Sequence, residues 1–486
     1  MTSSVSRAAA TRLLVRRTCV VGAAVAAVAG QLLAVPTVAD ARGSGTGTGA
    51  NAGAQYPQNS QNSQAPQNSQ NSQAPQSSQS PQNSQSPQSP QSSQLPQLPL
   101  HPKNPLELLQ SLQSKNPLQS FQALQSPQPH RPQQRATTIA ENQLPFTTRF
   151  EGDFHGSITR ISNSLMTCDE TKAPLDPEQP PCEDARKGLG SRPINNKYEM
   201  KYINIDPGSV GPLGDGIYSA SSADLGLIDG SRVKYARLYW GGTRGIDDVV
   251  LPENQIDEVY LKVPGEGQYR NIANDQPSIG YITTDVESSY QASADITDLV
   301  RQAGNGTYTV ANMDSVVKPH SWGGWTIVVA YENDCKPYRH IHLWDGFRVE
   351  LPDSPPREFD LTGLQTPAAG PVAGKLGFVV YDGDLKWTGD TLAIKSTNGP
   401  QALFSDLNHA SNDAFNSTIE ELTPADQFIR TPYNRNNFGY DSNRWDISPF
   451  LRNGDTDIKV LFDTDKDGYD LGVFYAYVNL DGSTEG

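Results

Sequence analysis

The chain has 486 residues, of which only 19% are charged and 36% hydrophobic, so part of it lacks the apolar content to build a core. Its 38 Lys and Arg against 53 Asp and Glu give a net charge of -15. That balance argues against a nucleic-acid partner, whose phosphates need basic surface, and favours cations or neutral ligands.

Residues 1–41 read as an export signal. Arg7, Arg12, Arg16 and Arg17 precede an apolar run from Val20 to Ala29, and Ala39-Asp40-Ala41 supplies small residues for cleavage, predicting a mature start near Arg42. Gly30, Gln31 and Pro36 interrupt the apolar run and argue against a retained anchor, and no other stretch is apolar enough to span a bilayer. The expected location is therefore extracellular, at or near the cell surface.

Residues 42–146 are dominated by Gln, Ser, Pro and Asn. Such a segment buries too little apolar area to offset roughly 1–2 kcal/mol of backbone entropy per ordered residue, so a disordered spacer is expected. Near its end Lys103–Ser114 is echoed by Lys115–Ser126, each opening Lys-Asn-Pro-Leu, which reads as weak helical order in a linker or as a docking peptide. Its glutamines also suit enzymatic cross-linking to a wall or a neighbouring protein.

From Thr147 onward the pattern is β. In Val233–Gly242, Ala236, Leu238 and Trp240 alternate with Tyr235, Arg237 and Tyr239, a period of two that marks a strand with one apolar face. Strands at Val259–Val263, Asn305–Val310 and Gly324–Tyr331 follow, with an Asp295-Ile-Thr turn between the first two. The same order returns as Ala373–Tyr381, Thr391–Lys395, Asp446-Ile-Ser, Asn453–Val460 and Leu471–Tyr477. Thr297 and Ser448 each read as the cap of a short helical turn. The predicted fold is all-β: two tandem jelly-roll-like β-sandwich units, 147–336 and 337–486, after the disordered N-terminal region.

Several motifs together carry a resemblance: Gly152-Asp-Phe-His-Gly156, the Cys168 to Cys182 loop, Ala236-Arg-Leu-Tyr-Trp-Gly241, Ala294-Asp-Ile-Thr297, Gly324-Trp-Thr-Ile-Val-Val329, Asp345-Gly-Phe347 and Phe415-Asn-Ser-Thr-Ile419. This part of the chain resembles the uncharacterised β-rich region at the N-terminus of large Gram-positive, mainly actinobacterial, surface proteins, where it precedes the "conserved repeat domain". The resemblance implies a secreted or surface-exposed module and carries no catalytic residues with it.

The candidate site residues each have a plain structural alternative. Cys168 and Cys182 bracket a Pro- and acid-rich loop suited to a disulfide, worth roughly 3 kcal/mol by loop closure. Cys335 is then left as a buried thiol or an intermolecular link. Asp463, Asp465, Asp467 and Asp470 follow the opening of a calcium loop, although position twelve is Phe474, and the structural alternative is an acidic hairpin tip. His340 and His342 share a strand face and suit a metal, with His320 as a third ligand; outward-facing histidines at a strand edge are the alternative. Tyr235, Arg237 and Tyr239 form either a platform for a sugar ring or a face covered by a loop or the neighbouring unit.

No nucleophile elbow, zinc helix or phosphate loop occurs, and nothing pairs Glu253, Glu258, Glu420 or Glu421 as glycosidase carboxylates. The expectation is a non-enzymatic surface protein that binds glycans or envelope proteins, with no cofactor beyond calcium. The competing readings are a glycan-active hydrolase with carboxylates in the inter-unit cleft and a structural coat or cross-linked wall component.

Overall fold

The computed structural model describes residues 143–276, 279–284, 286–421 and 427–482, so the expected signal and residues 42–142 of the spacer lie outside the described residues. Strands dominate what is described, as the alternation predicts. The first half runs β1 (Leu144–Ser164), β2 (Met166–Cys168), β3 (Met200–Tyr202), β4 (Ala220–Leu225), β5 (Arg232–Ile246), β6 (Val249–Val250), β7 (Glu258–Lys262), β8 (Arg270–Ala273), β9 (Gly280–Thr283), β10 (Glu287–Asp295), β11 (Gly306–Ala311) and β12 (Gly323–Glu332). The second runs β13 (Tyr338–Glu350), β14 (Arg357–Leu361), β15 (Gly374–Tyr381), β16 (Asp390–Ser396), β17 (Ala402–Leu403), β18 (Arg430–Thr431), β19 (Tyr440–Asp446), β20 (Ile458–Thr464) and β21 (Tyr469–Asn479). Short helices α1 (Cys182–Arg186), α2 (Glu253–Ile256) and α3 (Thr297–Ala303) interrupt the first half. No helix among the described residues is long and apolar enough to cross a membrane.

Strand order identifies the architecture. In the first half β1-β12-β5-β10 form one sheet and β4-β11-β7-β8 the other, all antiparallel, the two four-strand orders of a jelly roll. The second half repeats it, with β13-β21-β15-β19 against β14-β20-β16-β17. Each roll closes on its own apolar filling. Leu238 and Trp240 of β5 and Ile327 and Val329 of β12 meet Leu261 and Val310 in the first; Phe378, Val380 and Phe474 meet Phe359, Ile394 and Phe462 in the second. Each such side chain contributes roughly 1.5–3 kcal/mol by leaving water.

The rolls are not beads on a string. The first part of β1 pairs with β13 from Leu144↔Phe347 to His155↔Tyr338, and its remainder pairs with β12 from Gly156↔Glu332 to Ser164↔Gly324. The result is a single ten-stranded sheet that runs through both rolls. Gly156 sits where β1 changes partner, and a Cβ there would lie 2.2 Å from the Tyr331 carbonyl oxygen, so only glycine fits the crossing. β18, from the second half, adds to β4 of the first.

The outward faces of the two rolls pack on each other along a seam that buries Tyr239, Val328 and Ala330 against Val379, Tyr381, Tyr440 and Val473. Trp322 stacks on Tyr381 with centroids 5.0 Å apart, the Tyr381 hydroxyl donates to Gln291 Oε1 at 2.9 Å, and Tyr440 and Thr326 share a hydrogen bond of 2.7 Å.

The repeated Asp-Ile-Thr/Ser element is a corner that each roll builds in the same way, with one difference from expectation. The helical-turn capping assigned to Thr297 and Ser448 belongs to the preceding acids. Asp295 Oδ1 accepts the Thr297 amide at 2.8 Å, and Asp446 Oδ1 accepts the Ser448 amide at 2.8 Å. The hydroxyls instead clip the corner to the adjacent strand: Thr297 Oγ1 bonds the amide of Ala236 at 2.9 Å, and Ser448 Oγ bonds that of Gly374 at 3.1 Å. A side chain already used across the sheet is not free to cap its own turn.

Cys168 and Cys182 are disulfide-bonded, closing a loop of sequence separation 14 between β2 and α1. Cys335 is exposed in the turn between β12 and β13, which corrects its reading as a buried thiol.

Candidate functional site

The long excursion between β17 and β18 folds back over β19 and leaves a groove of about 440 Å³, lined by Asp406, Asn408, Glu420, Gln427, Tyr433 and Trp445. Its rim is locally rigid. Asp406 Oδ1 accepts the amides of Asn408 and His409 at 2.8 Å each and faces His409 Nδ1 at 2.9 Å, while His409 Nε2 lies 3.1 Å from Thr418 Oγ1. Burial pushes the Asp406 carboxyl up, but the hydrogen bond and charge of His409 outweigh it, so the group stays below the ordinary carboxylate range. Asn408 Nδ2 donates to Glu420 at 2.6 Å.

The floor is stiffer still. Glu421, 1% exposed, pairs with fully buried Arg160 and with Arg444 at 2.7 Å, so its charge is satisfied within the protein. Trp445 stacks on Phe404 with centroids 3.9 Å apart, and its Nε1–H has no acceptor among the described residues. Tyr433 is 61% exposed and lies over Arg430, whose guanidinium is 4.5 Å from the ring centroid. The groove therefore offers an exposed aromatic face, amides and acceptor carboxylates, the equipment for stacking on an apolar ring face while hydrogen-bonding its hydroxyls.

A second polar centre lies at the loops of the second roll. Asp390 opens β16, Asp384 stands in the β15–β16 loop, Asp413 in the long excursion, and Asp467 in the β20–β21 hairpin. Backbone bonds gather them: Gly389 N–H donates to Asn412 at 2.7 Å, Asp465 N–H to Gly389 at 3.1 Å, and Asp384 N–H to Asp467 Oδ2 at 3.2 Å. One carboxylate oxygen each of Asp384, Asp390 and Asp413 is buried with no partner among the described residues. Burial, then the Asp413 charge acting against the Phe415 amide, pushes Asp390 up to about 7. Burial pushes Asp413 up to about 6, against His409 and Lys386. Asp384 and Asp467 are raised chiefly by burial, with carboxylate neighbours adding to it.

The acids read from the hairpin separate accordingly. Asp467 joins this centre, Asp463 is half-buried and Asp465 exposed. Asp470 turns to the seam, where Ser289 donates to it and where Glu287 and Asp382 also lie. The expectation that Asp463, Asp465, Asp467 and Asp470 form one set is thereby corrected, because strand alternation after Gly468 sends Asp470 to the other face. Asp384, Asp390 and Asp413 left no signal at calcium-loop spacing; Asp382-Gly-Asp384 reads from sequence only as a turn.

Tyr235, Arg237 and Tyr239 are not an open platform. Tyr239 is fully buried in the seam and donates to Asp345 at 3.0 Å. Arg237, 2% exposed, pairs with Asp275 and donates to Ser293 at 3.1 Å, and Tyr235 stacks on Phe150 with centroids 5.4 Å apart. The alternation located their face correctly, and the second roll covers it. Beside them Arg149, Gln276, Gln291, Ser293 and Asp345 line a polar recess of about 190 Å³.

His340 and His342 are buried in β13, not outward-facing, and their neighbours are Glu151 and Asp153 of β1; His320 lies apart, on the loop before β12. Sequence reading missed both acids, although Glu151 and Asp153 stand at the same two-residue spacing as the histidines. Of the four glutamates considered for hydrolysis, Glu420 and Glu421 line the groove, while Glu253 opens α2 and Glu258 opens β7.

No protein-family model matches the chain, and no curated protein matches it. Among solved structures it is similar to a chain from the atomic structure of Sulfolobus turreted icosahedral virus, at 11% identity over 52% of this chain and 86% of that one, TM-score 0.19. It is also similar to PNGase F, a glycosylasparaginase from Flavobacterium meningosepticum, at 13% identity, 57% and 94% coverage and TM-score 0.19. The major capsid protein P2 from bacteriophage PM2 matches at 13% identity, 58% and 96% coverage and TM-score 0.17. At such scores the fold rests on the strand order itself, and nothing of those proteins' roles transfers.

Proposed function

We propose that the protein is a secreted, non-enzymatic double jelly roll that binds extracellular glycans through the groove beneath Tyr433. The observation that carries this reading is the exposed Tyr433 ring set beside acceptor carboxylates and amides in one groove of ligand size. Binding rather than turnover is favoured because Glu421 is committed to two arginines and Asp406 is held ionised by His409, which leaves neither as a proton donor. The test is a glycan array with the exported chain, followed by titration of the best sugar. Tyr433→Ala is expected to weaken that sugar about tenfold, or ~1.4 kcal/mol. Affinity indifferent to this change, or no sugar bound at all, overturns the reading.

Calcium belongs to the same proposal, held by Asp384, Asp390, Asp413 and Asp467. Buried carboxylate oxygens of Asp384, Asp390 and Asp413 with no partner among the described residues, beside the Asp467 carboxylate, match a hard, oxygen-seeking cation.

A second reading has one observation behind it. Glu287 of the first roll meets Asp382 and Asp470 of the second at the seam; burial raises all three, Asp470 to about 7. Raised carboxyls between two rolls suit an acid and base in glycan hydrolysis. Sugar release that Glu287→Gln abolishes would favour this hydrolase over the binding protein.

A further inference from the structure

We propose that Glu151, His340 and His342 form a binding site for a first-row divalent transition metal, zinc above all, with one coordination position open to solvent. The β1–β13 register places Glu151 opposite His342 and Asp153 opposite His340, so all four side chains share one sheet face. Glu151 Oε1 lies 3.7 Å from His340 Nε2 and 3.9 Å from His342 Nδ1. One ligand atom from each of the three residues lies within 4.8 Å of the others. Ligands of a tetrahedral zinc stand roughly 3.3–3.5 Å apart, so the Glu151 carboxylate needs only a few tenths of an ångström of closure onto each ring nitrogen, and the two rings turn toward each other to complete three corners.

The hydrogen bonds around the rings decide which nitrogens carry lone pairs. His340 Nδ1 is 2.7 Å from Asp153 Oδ1; a carboxylate accepts, so Nδ1 holds the proton and Nε2 the lone pair. That Nε2 is buried without a hydrogen-bond partner among the described residues, on a side chain 6% exposed. His342 Nε2 is 2.8 Å from Thr148 Oγ1, and with Nε2–H donating to that hydroxyl, Nδ1 turns its lone pair toward Glu151. Asp153 and Thr148 thus do for the two rings what outer-shell partners do at metal sites, fixing tautomer and orientation.

Trp344 stacks on His342 with centroids 3.5 Å apart and fixes the ring plane. Glu151 is half-exposed, so the fourth corner faces water, where a solvent molecule or a partner's side chain completes the shell. Two imidazoles and one carboxylate with an open position select zinc or a neighbouring transition metal over calcium.

This inference stands apart from the glycan groove and does not depend on it. The test is calorimetric titration of the untagged full chain with Zn2+, with Co2+ absorption as a second readout and Ca2+ as a contrast. The expected result is Zn2+ binding that Glu151→Gln weakens at least tenfold, and that Asp153→Asn weakens by about 10–100-fold through loss of ring orientation alone. Co2+ is expected to show the intense visible bands of a four-coordinate site, which Glu151→Gln abolishes. Because His342→Gln alters a buried ring, the two half-exposed acids carry the decision. No Zn2+ binding, or binding that both acid variants leave unchanged and that therefore belongs to histidines elsewhere, overturns the site.

Discussion

Asp390 and Asp413 show what the acid-rich loops of the second roll cost when no cation neutralises them. Their folded-state values, about 7 and about 6, lie above the unfolded carboxyl value of roughly 3.9. Between those limits the folded chain holds protons that the unfolded chain has released, so stability falls as pH rises through about 4 to 7. The expected outcome in a chelator is a melting temperature that declines from pH 5 to pH 8, and calcium at pH 8 reverses that decline. A flat profile in the chelator, or one that calcium leaves alone, removes the ion from these loops. The hairpin Asp463-Thr-Asp-Lys-Asp-Gly made one part of this centre visible in the sequence. The other carboxylates come from loops distant in the chain, and no local spacing announces a convergence that only the closed roll creates.

At the scale of elements, the corner formed by Asp295-Ile-Thr and again by Asp446-Ile-Ser is the most exact trace of duplication. In each roll the acid holds the turn and the hydroxyl clips it to the neighbouring strand. Asp295→Ala and Asp446→Ala are each expected to lower unfolding free energy by about 0.5–2 kcal/mol, the cost of losing a helix-end acceptor, measured by urea denaturation. An effect confined to one roll would show that the two corners are not equivalent. Periodicity exposed the strands of both rolls because each buries one face and the alternation is strict. What covered the opposite face stayed hidden: Tyr235, Arg237 and Tyr239 read alike whether that face meets a sugar or a second sheet. Burial of Arg237 depends on Asp275 and Ser293, residues that alternation cannot assign to it.

For the molecule as a whole, the shared sheet and the seam bind the two rolls into one cooperative body. β1 pairs with both rolls, β18 reaches from the second to the first, and the Trp322–Tyr381 stack closes the space between them. Calorimetric unfolding is therefore expected as a single transition whose van't Hoff and calorimetric enthalpies agree. Two resolved transitions would show that each roll stands alone. The tandem architecture was legible in the repeated order of strands. The fusion was not, because a strand's pairing partners are set by register over long sequence separation.

One consequence follows from the length of β1. Its 21 residues span about 70 Å, and the described chain enters the fold along that strand. Tension applied to the start of β1 while the second roll is held would drive β1 lengthwise past β12 and β13, loading its ladder in shear rather than unzipping it one rung at a time. A strand paired along such a length resists lengthwise mechanical extraction.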